Sequence, residues 1–210
     1  MLMRPNMPEN LRPDLALISE WIPSEAHVLD LGCGEGALLA FLNAERDVTG
    51  YGLEIDEDEI TAAVARGVNV IQGDVDEGLQ QYATASFDYV VMTQALQALQ
   101  RPDLAIAEML RVGRTAIVTF PNFGHWLARL DVLRGRMPLT RTMPEHWYDS
   151  ENIHLCTVRD FETLCSENHW RITRRNLLNH DHQDGWLQRF APNLFTEIAV
   201  YMLESEAARP

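Results

Sequence analysis

Short apolar runs alternate with helical periods through the first 120 residues, and this alternation restricts the fold more than any other feature of the sequence. His27-Val28-Leu29-Asp30-Leu31 is one such run, preceded by an amphipathic helix over 11–21 that Pro23 ends. It breaks into glycines before a helical segment at 35–45. The pattern recurs as strand 47–53, helix 57–66, strand 68–72, a short helical stretch near 76–82, strand 87–92, helix 101–111 and strand 114–120. Strands of about five apolar residues separated by helices require right-handed crossovers and a parallel sheet covered on both faces. The last third differs. Helix 157–168 is followed by strand-like runs at 170–178 and 194–204 with no clear helix between them, which predicts an antiparallel pair at one sheet edge.

There is no internal repeat, low-complexity tract or Gly/Ser linker, so one domain over 1–210 is expected, with 1–11 as a flexible extension. Residues 121–156 form an irregular insertion of about 36 residues, far longer than an ordinary αβ connection. Within it Trp126, Leu127, Leu130 and Leu133 fall on one helical face, which reads as ordinary core packing.

Composition removes several chemistries. All 17 basic residues are arginine, against 31 acids and a net charge of −14. Without lysine there is neither a phosphate-loop lysine nor an amine for Schiff-base catalysis. Residues 1–100 hold 17 acids and 4 arginines, whereas 101–210 hold 14 and 13. The only basic window, 101–141, has seven arginines and three acids, too local a footprint for nucleic acid. Three cysteines without a C-x-x-C pair, an N-terminus lacking an apolar signal core, and no run near the roughly 18 residues of a span lead to the expectation of a cytoplasmic protein with no membrane partner.

The turn Asp30-Leu31-Gly32-Cys33-Gly34-Glu35-Gly36-Ala37 follows the first parallel strand. Its glycines let backbone approach a ligand at the carboxyl end of the sheet, and Gly32, Gly34 and Ala37 also satisfy a dinucleotide fingerprint. A pyrophosphate wants bare amides, yet Asp30 and Glu35 flank this turn and would repel it. A cationic ligand suits it better. S-adenosylmethionine offers a sulfonium and an ammonium, with Asp30 placed to take the ammonium. Glu54 ends the second strand 24 residues further on, beside Ile55, where a carboxylate can accept ribose hydroxyls. Asp74 and Val75 end the third, an acid suited to an adenine amino group beside a small apolar wall.

These segments resemble the class I S-adenosylmethionine-dependent methyltransferases: DLGCGEG their first motif, LEID the ribose-binding acid, GDV the adenine segment and FDYVV the fourth strand. The resemblance implies a Rossmann-like α/β fold, a mostly parallel seven-stranded sheet with an antiparallel C-terminal pair. It implies cofactor contacts from Asp30, Gly32, Cys33, Gly34, Gly36, Glu54, Ile55, Asp74 and Val75, to S-adenosylmethionine or S-adenosylhomocysteine.

Further on, TFPNFGHWLARLDVLRGRMPLT, WYDSENIHLCTVRDFETLC and FAPNLFTEIAVYMLE resemble the MetW family of methionine-biosynthesis proteins, a similarity running over about 12–204. That resemblance implies a role supporting a MetX-type homoserine O-acyltransferase in acyl-homoserine formation. None of the six serines lies in a G-x-S-x-G elbow, so acyl transfer by this chain itself is not expected. Arg129, Arg134, Arg136 and Arg141 with Trp126, Trp147 and Tyr148 have the composition of an interface hot spot, or of a lid over an anionic substrate. The alternative activity is methyl transfer to a small-molecule acceptor, for which His125, Tyr148 and His154 are the candidate bases. His125, His146, His154 and Cys156 are too irregularly spaced to predict a metal site, and His180 and His182 read as surface turn residues.

Overall fold

The computed structural model of the chain describes residues 11–140, 142–150, 152–179 and 185–205. The extension before Leu11, Arg141, His180 and His182 lie outside the described residues. Helix α1 (Pro13–Trp21) leads into β1 (His27–Leu31), α2 (Ala37–Arg46), β2 (Thr49–Glu54), α3 (Glu57–Ala65), β3 (Val70–Gln72), β4 (Phe87–Thr93), α4 (Pro102–Val112) and β5 (Gly113–Pro121). Then come α5 (Trp126–Leu133), α6 (Val158–Glu167), β6 (Trp170–Leu178), α7 (Trp186–Phe190), α8 (Pro192–Phe195) and β7 (Ile198–Ser205). The strands form one sheet in the order β3-β2-β1-β4-β5-β7-β6.

Two expectations needed correction. The stretch near 76–82 is only a 3-10 turn over Val75–Glu77, because Gly78 at φ 90° ends it. Between β6 and β7 two short helices, α7 and α8, occupy a region read as helix-free. Helices of five and four residues are too brief to show a 3.6-residue period.

The residues group into two compact units, Met1–Thr93 with Ala105–Ile117, and Gln94–Leu104 with Val118–Pro210. In the first, β1 pairs in parallel with β2 on one side and β4 on the other. Val28, Leu29 and Leu31 have no exposed surface, as a central strand covered on both faces requires. The chain runs outward from β1 to β2 and β3, then returns to β4 across β1. That reversal places the switch point, where open α/β sheets bind ligands, at the carboxyl end of β1.

Close approach at that end depends on Gly52. A Cβ there would stand 2.3 Å from Cys33 Sγ and 3.0 Å from Cys33 Cβ.

In the second unit Phe120 stacks on Tyr201 with ring centroids 5.9 Å apart, and Phe161 lies tilted against both at 4.8 and 4.7 Å. The Tyr201 hydroxyl donates to Glu162 Oε1 at 2.9 Å. Strand β6 pairs antiparallel with β7 at the sheet edge, with a register shift between Ile172 and Arg174. Exposed Arg171, Arg174 and Arg175 lie along that edge strand, a placement that discourages further strand addition. Arg171 pairs with Glu204, and Arg175 with Glu162 at 2.7 Å.

Gly52→Ala is expected to cost about 1–3 kcal/mol through overpacking against Cys33. Cys33→Ala should recover part of that loss. Urea denaturation of both single variants and the double variant will give a non-additive cycle if Gly52 is required by the thiol; strict additivity would show that the clash is relieved elsewhere.

Candidate functional site

The candidate site is built from the carboxyl ends of three adjacent parallel strands, β1, β2 and β3. Three glycines shape the turn after β1, with Gly32 at φ 66°, Gly34 at φ 51° and Gly36 at φ 72°, all in a region that favours glycine. Gly36 also serves packing, because a Cβ there would lie 3.0 Å from Ala63 Cβ and Val68 Cγ2. Gly34 faces more open space: its nearest neighbour would be Glu59 Oε2 at 3.6 Å.

Backbone bonds lock this turn to β2. The Gly32 and Cys33 amides both donate to the Leu53 carbonyl, at 2.8 and 3.2 Å. The Glu54 carboxylate in turn gathers three amides, accepting from Gly34 on Oε2 at 2.9 Å and from Ile55 and Asp56 on Oε1 at 2.8 and 3.1 Å. Gly73 of the next strand end donates to the Glu54 carbonyl at 3.0 Å. Asp74 Oδ1 accepts from the Asp76 amide at 2.8 Å, so Asp74 caps the 3-10 turn that carries Val75. Ile55 is exposed, and Val75 half-buried.

The acids around the turn differ in their needs. Glu35, expected to repel anions, forms an exposed ion pair with Arg66 at 2.6 Å, which cancels much of that effect. Asp56 is a helix cap, accepting from the Asp58 and Glu59 amides. Asp30 is the exception: it is 1% exposed, and its Oδ1 has no hydrogen-bond partner among the described residues. Burial lifts its carboxyl from the usual 3.8 to about 7, Arg12 opposing and Glu54 adding to the rise. A buried, unmatched carboxyl oxygen at a switch point can be satisfied by a ligand's ammonium, which would also restore its charge.

Cys33 is no nucleophile. Burial first, then the charges of Asp30 and Glu54, push its thiol up to about 12.

In the second unit His125 is 8% exposed, and burial lowers its pKa while Glu197 pulls the other way. Tyr148 is exposed and stacks on His146, ring centroids 5.3 Å apart. His154 is exposed; its amide donates to Gln97 O and its ring Nε2 contacts Gln100 O at 3.1 Å. Sequence reasoning missed Asn122. Its Nδ2 donates to the Asn193 and Thr196 carbonyls, and its Oδ1 accepts from the Gly124 and Val158 amides. One side chain thus ties the end of β5 to α6 and α8. The only cue was a Pro-Asn pair closing an apolar strand.

The apolar stripe of α5 does not join the core. Trp126, Leu127 and Leu133 are exposed and Ala128 is the buried residue of the helix. Arg129 is pinned to the Gly124 carbonyl at 2.6 Å. Among the described residues no three His, Cys, Asp or Glu side chains are placed to hold a metal ion, and no helix is long and apolar enough to cross a membrane.

The family model described as methionine biosynthesis protein MetW matches residues 12–203. The chain belongs to the MetW family. A bifunctional methionine biosynthesis protein MetXA/MetW from Rhodopirellula baltica is 32% identical over 206 residues, which cover 93% of this chain and 33% of that one. The chain therefore spans about a third of this relative's length. Among solved structures, a SAM-dependent methyltransferase from Archaeoglobus fulgidus superposes with a TM-score of 0.67 at 14% identity, over 91% of this chain and 92% of its own. The [4+2]-cyclase SpnF superposes with a TM-score of 0.63 at 18% identity, over 91% and 80%. These likenesses establish the class I methyltransferase fold. A methyltransferase and a cyclase on one fold show that the fold alone does not choose the reaction.

Asp30 yields a pH-dependent prediction. A carboxyl whose pKa is raised by folding binds more protons folded than unfolded between about pH 4 and pH 7, so its contribution to stability falls as pH rises through that window. The stability difference between the parent and Asp30→Asn should therefore move by on the order of 2–4 kcal/mol in favour of the variant between pH 4 and pH 8. Ligand-free denaturation at the two pH values measures it; a difference independent of pH would mean that Asp30 ionises freely in the folded chain.

Proposed function

We propose that the chain binds S-adenosylmethionine or S-adenosylhomocysteine at the β1–β3 strand ends and supports a MetX-type homoserine O-acyltransferase in forming acyl-homoserine. The observation that carries the partnership is the relative whose single chain unites MetXA and MetW. Two activities joined in one polypeptide are held at high effective concentration, as befits parts that work together. On the cofactor side, the unmatched Asp30 oxygen fits an ammonium, the oriented Glu54 carboxylate fits ribose hydroxyls, and the Asp74–Val75 corner fits an adenine edge. S-adenosylmethionine, when bound, would supply an electrophilic methyl group. The residues here bind and orient it.

The exposed insertion is the proposed contact surface for the acyltransferase. Trp147 is 74% exposed, Tyr148 70% and Leu133 84%, and arginines 134 and 136 are exposed beside them in sequence. Aromatic residues and arginine are the side chains that most often anchor interfaces. A second reading, methyl transfer to a small-molecule acceptor, is favoured by His125, a buried imidazole held neutral and therefore able to accept a proton.

Calorimetric titration with S-adenosylmethionine tests the cofactor assignment. Binding should be lost or weakened at least tenfold in Glu54→Ala. At pH 6 binding should release about one proton per chain, because an ammonium against Asp30 forces its carboxyl to ionise. Heats that do not vary between buffers of different ionisation enthalpy would remove Asp30 from the ammonium site.

For the partnership, the chain should co-purify with the acyltransferase and raise its rate of acyl-homoserine formation. Trp147→Ala with Leu133→Glu should weaken co-purification while leaving S-adenosylmethionine affinity unchanged. An acyltransferase that works at full rate alone would refute the supporting role.

A further inference from the structure

The second unit contains a cavity of about 230 Å³, with His125, Asp131, Thr140 and Glu197 among its polar lining and Leu127 and Met143 among its apolar lining. That lining includes two carboxylate residues and, among the described residues, no arginine. His125 is 8% exposed, and its ring makes no hydrogen bond among the described residues; its nearest ring neighbour is Trp126, centroids 5.9 Å apart. A buried imidazole facing a cavity without a protein partner has hydrogen-bonding capacity left for something else.

We propose that this cavity binds a compact amine in its ammonium form, attracted by the carboxylates of Asp131 and Glu197, with one N–H donated to the His125 ring. The lining shares no residue with the proposed S-adenosylmethionine contacts, and the inference does not rest on the acyltransferase partnership; His125 is also the residue on which the methyl-transfer reading rests. Burial keeps His125 below its ordinary titration range, so at neutral pH it accepts rather than competing as a cation. Arg134 reaches Asp131 only at 4.0 Å, with 63% of its side chain exposed, a contact that an enclosed ammonium outcompetes. A metal ion is the poorer occupant, because these groups do not form a three-ligand cluster. The volume equals that of about seven or eight waters, which restricts the ligand to a small molecule. The apolar wall favours an amine with a short methylene segment.

The test follows the His125 imidazole signal by NMR, assigned with His125→Gln, while 1,4-diaminobutane is added; 1,4-butanediol is the uncharged control of similar shape. A saturable shift with the diamine and none with the diol is expected. Asp131→Asn combined with Glu197→Gln should weaken diamine binding at least tenfold. If that variant fails to fold, Leu139→Trp, which fills the cavity without altering either carboxylate, should abolish the shift instead. No shift at millimolar diamine, equal binding of the diol, or binding that survives both the charge-removing and the cavity-filling changes overturns the proposal.

Discussion

Everything at the candidate cofactor site hangs on the Glu54 carboxylate. Its two oxygens take amides from Gly34, Ile55 and Asp56, so the end of β2 and the turn after β1 are one hydrogen-bonded object. The turn can reach Glu54 only because Gly32, Gly34 and Gly36 adopt positive φ, and it can lie against β2 only because Gly52 leaves room for Cys33. The same contacts fix the direction of the carboxylate. A ligand hydroxyl arriving there meets an acceptor whose orientation was set during folding, and little side-chain entropy remains to be lost on binding.

The acidic bias of the first hundred residues resolves, on this scaffold, into charges of different kinds. Glu35 is paired with Arg66, and Asp56 and Asp74 cap the turns that follow them. Their energetic business is local. Asp30 alone among these acids is buried with an oxygen unmatched among the described residues, and burial in the apolar sheet raises its pKa by disfavouring the charge. A buried carboxyl whose charge is so disfavoured is a candidate for pairing with a ligand's cation. Cys33, next to it, shows the converse: the same burial that frustrates Asp30 makes the thiol inert.

The strand-helix alternation was legible because period and length agree: five-residue apolar runs cannot be amphipathic helices, and the glycine turn marks where β1 ends. The antiparallel β6–β7 pair was legible for the same reason. The placement of Asp30, Glu54 and Asp74 at neighbouring strand ends follows directly from that topology, since each closes or immediately follows an apolar run. What stayed hidden depends on tertiary contact. Nothing in the neighbourhood of Asn122 announces that its amide will serve four backbone groups, one in its own loop and three at α6 and α8. Nor does the sequence announce that the His154 amide and ring will meet the Gln97 and Gln100 carbonyls. The α5 stripe misled for a deeper reason: periodicity reports that a face is apolar, never what covers it.

That exposed face bears on the proposed partnership. A helix of eight residues is too short to persist on intrinsic propensity, and α5 buries only Ala128, so covering Trp126, Leu127 and Leu133 would contribute to its stability as well as to affinity. In the bifunctional relative the two named parts share one polypeptide, and for the proposed partnership a modest contact would then suffice because the encounter is intramolecular. Wherever the two parts are separate chains, the contact has to come from surface alone. Large apolar and aromatic side chains left in solvent, among arginines whose planar heads tolerate desolvation better than lysine's ammonium, are what such a surface requires. The absence of lysine from the whole sequence thus finds a physical rationale in the insertion, where the cations would be asked to pack as well as to carry charge.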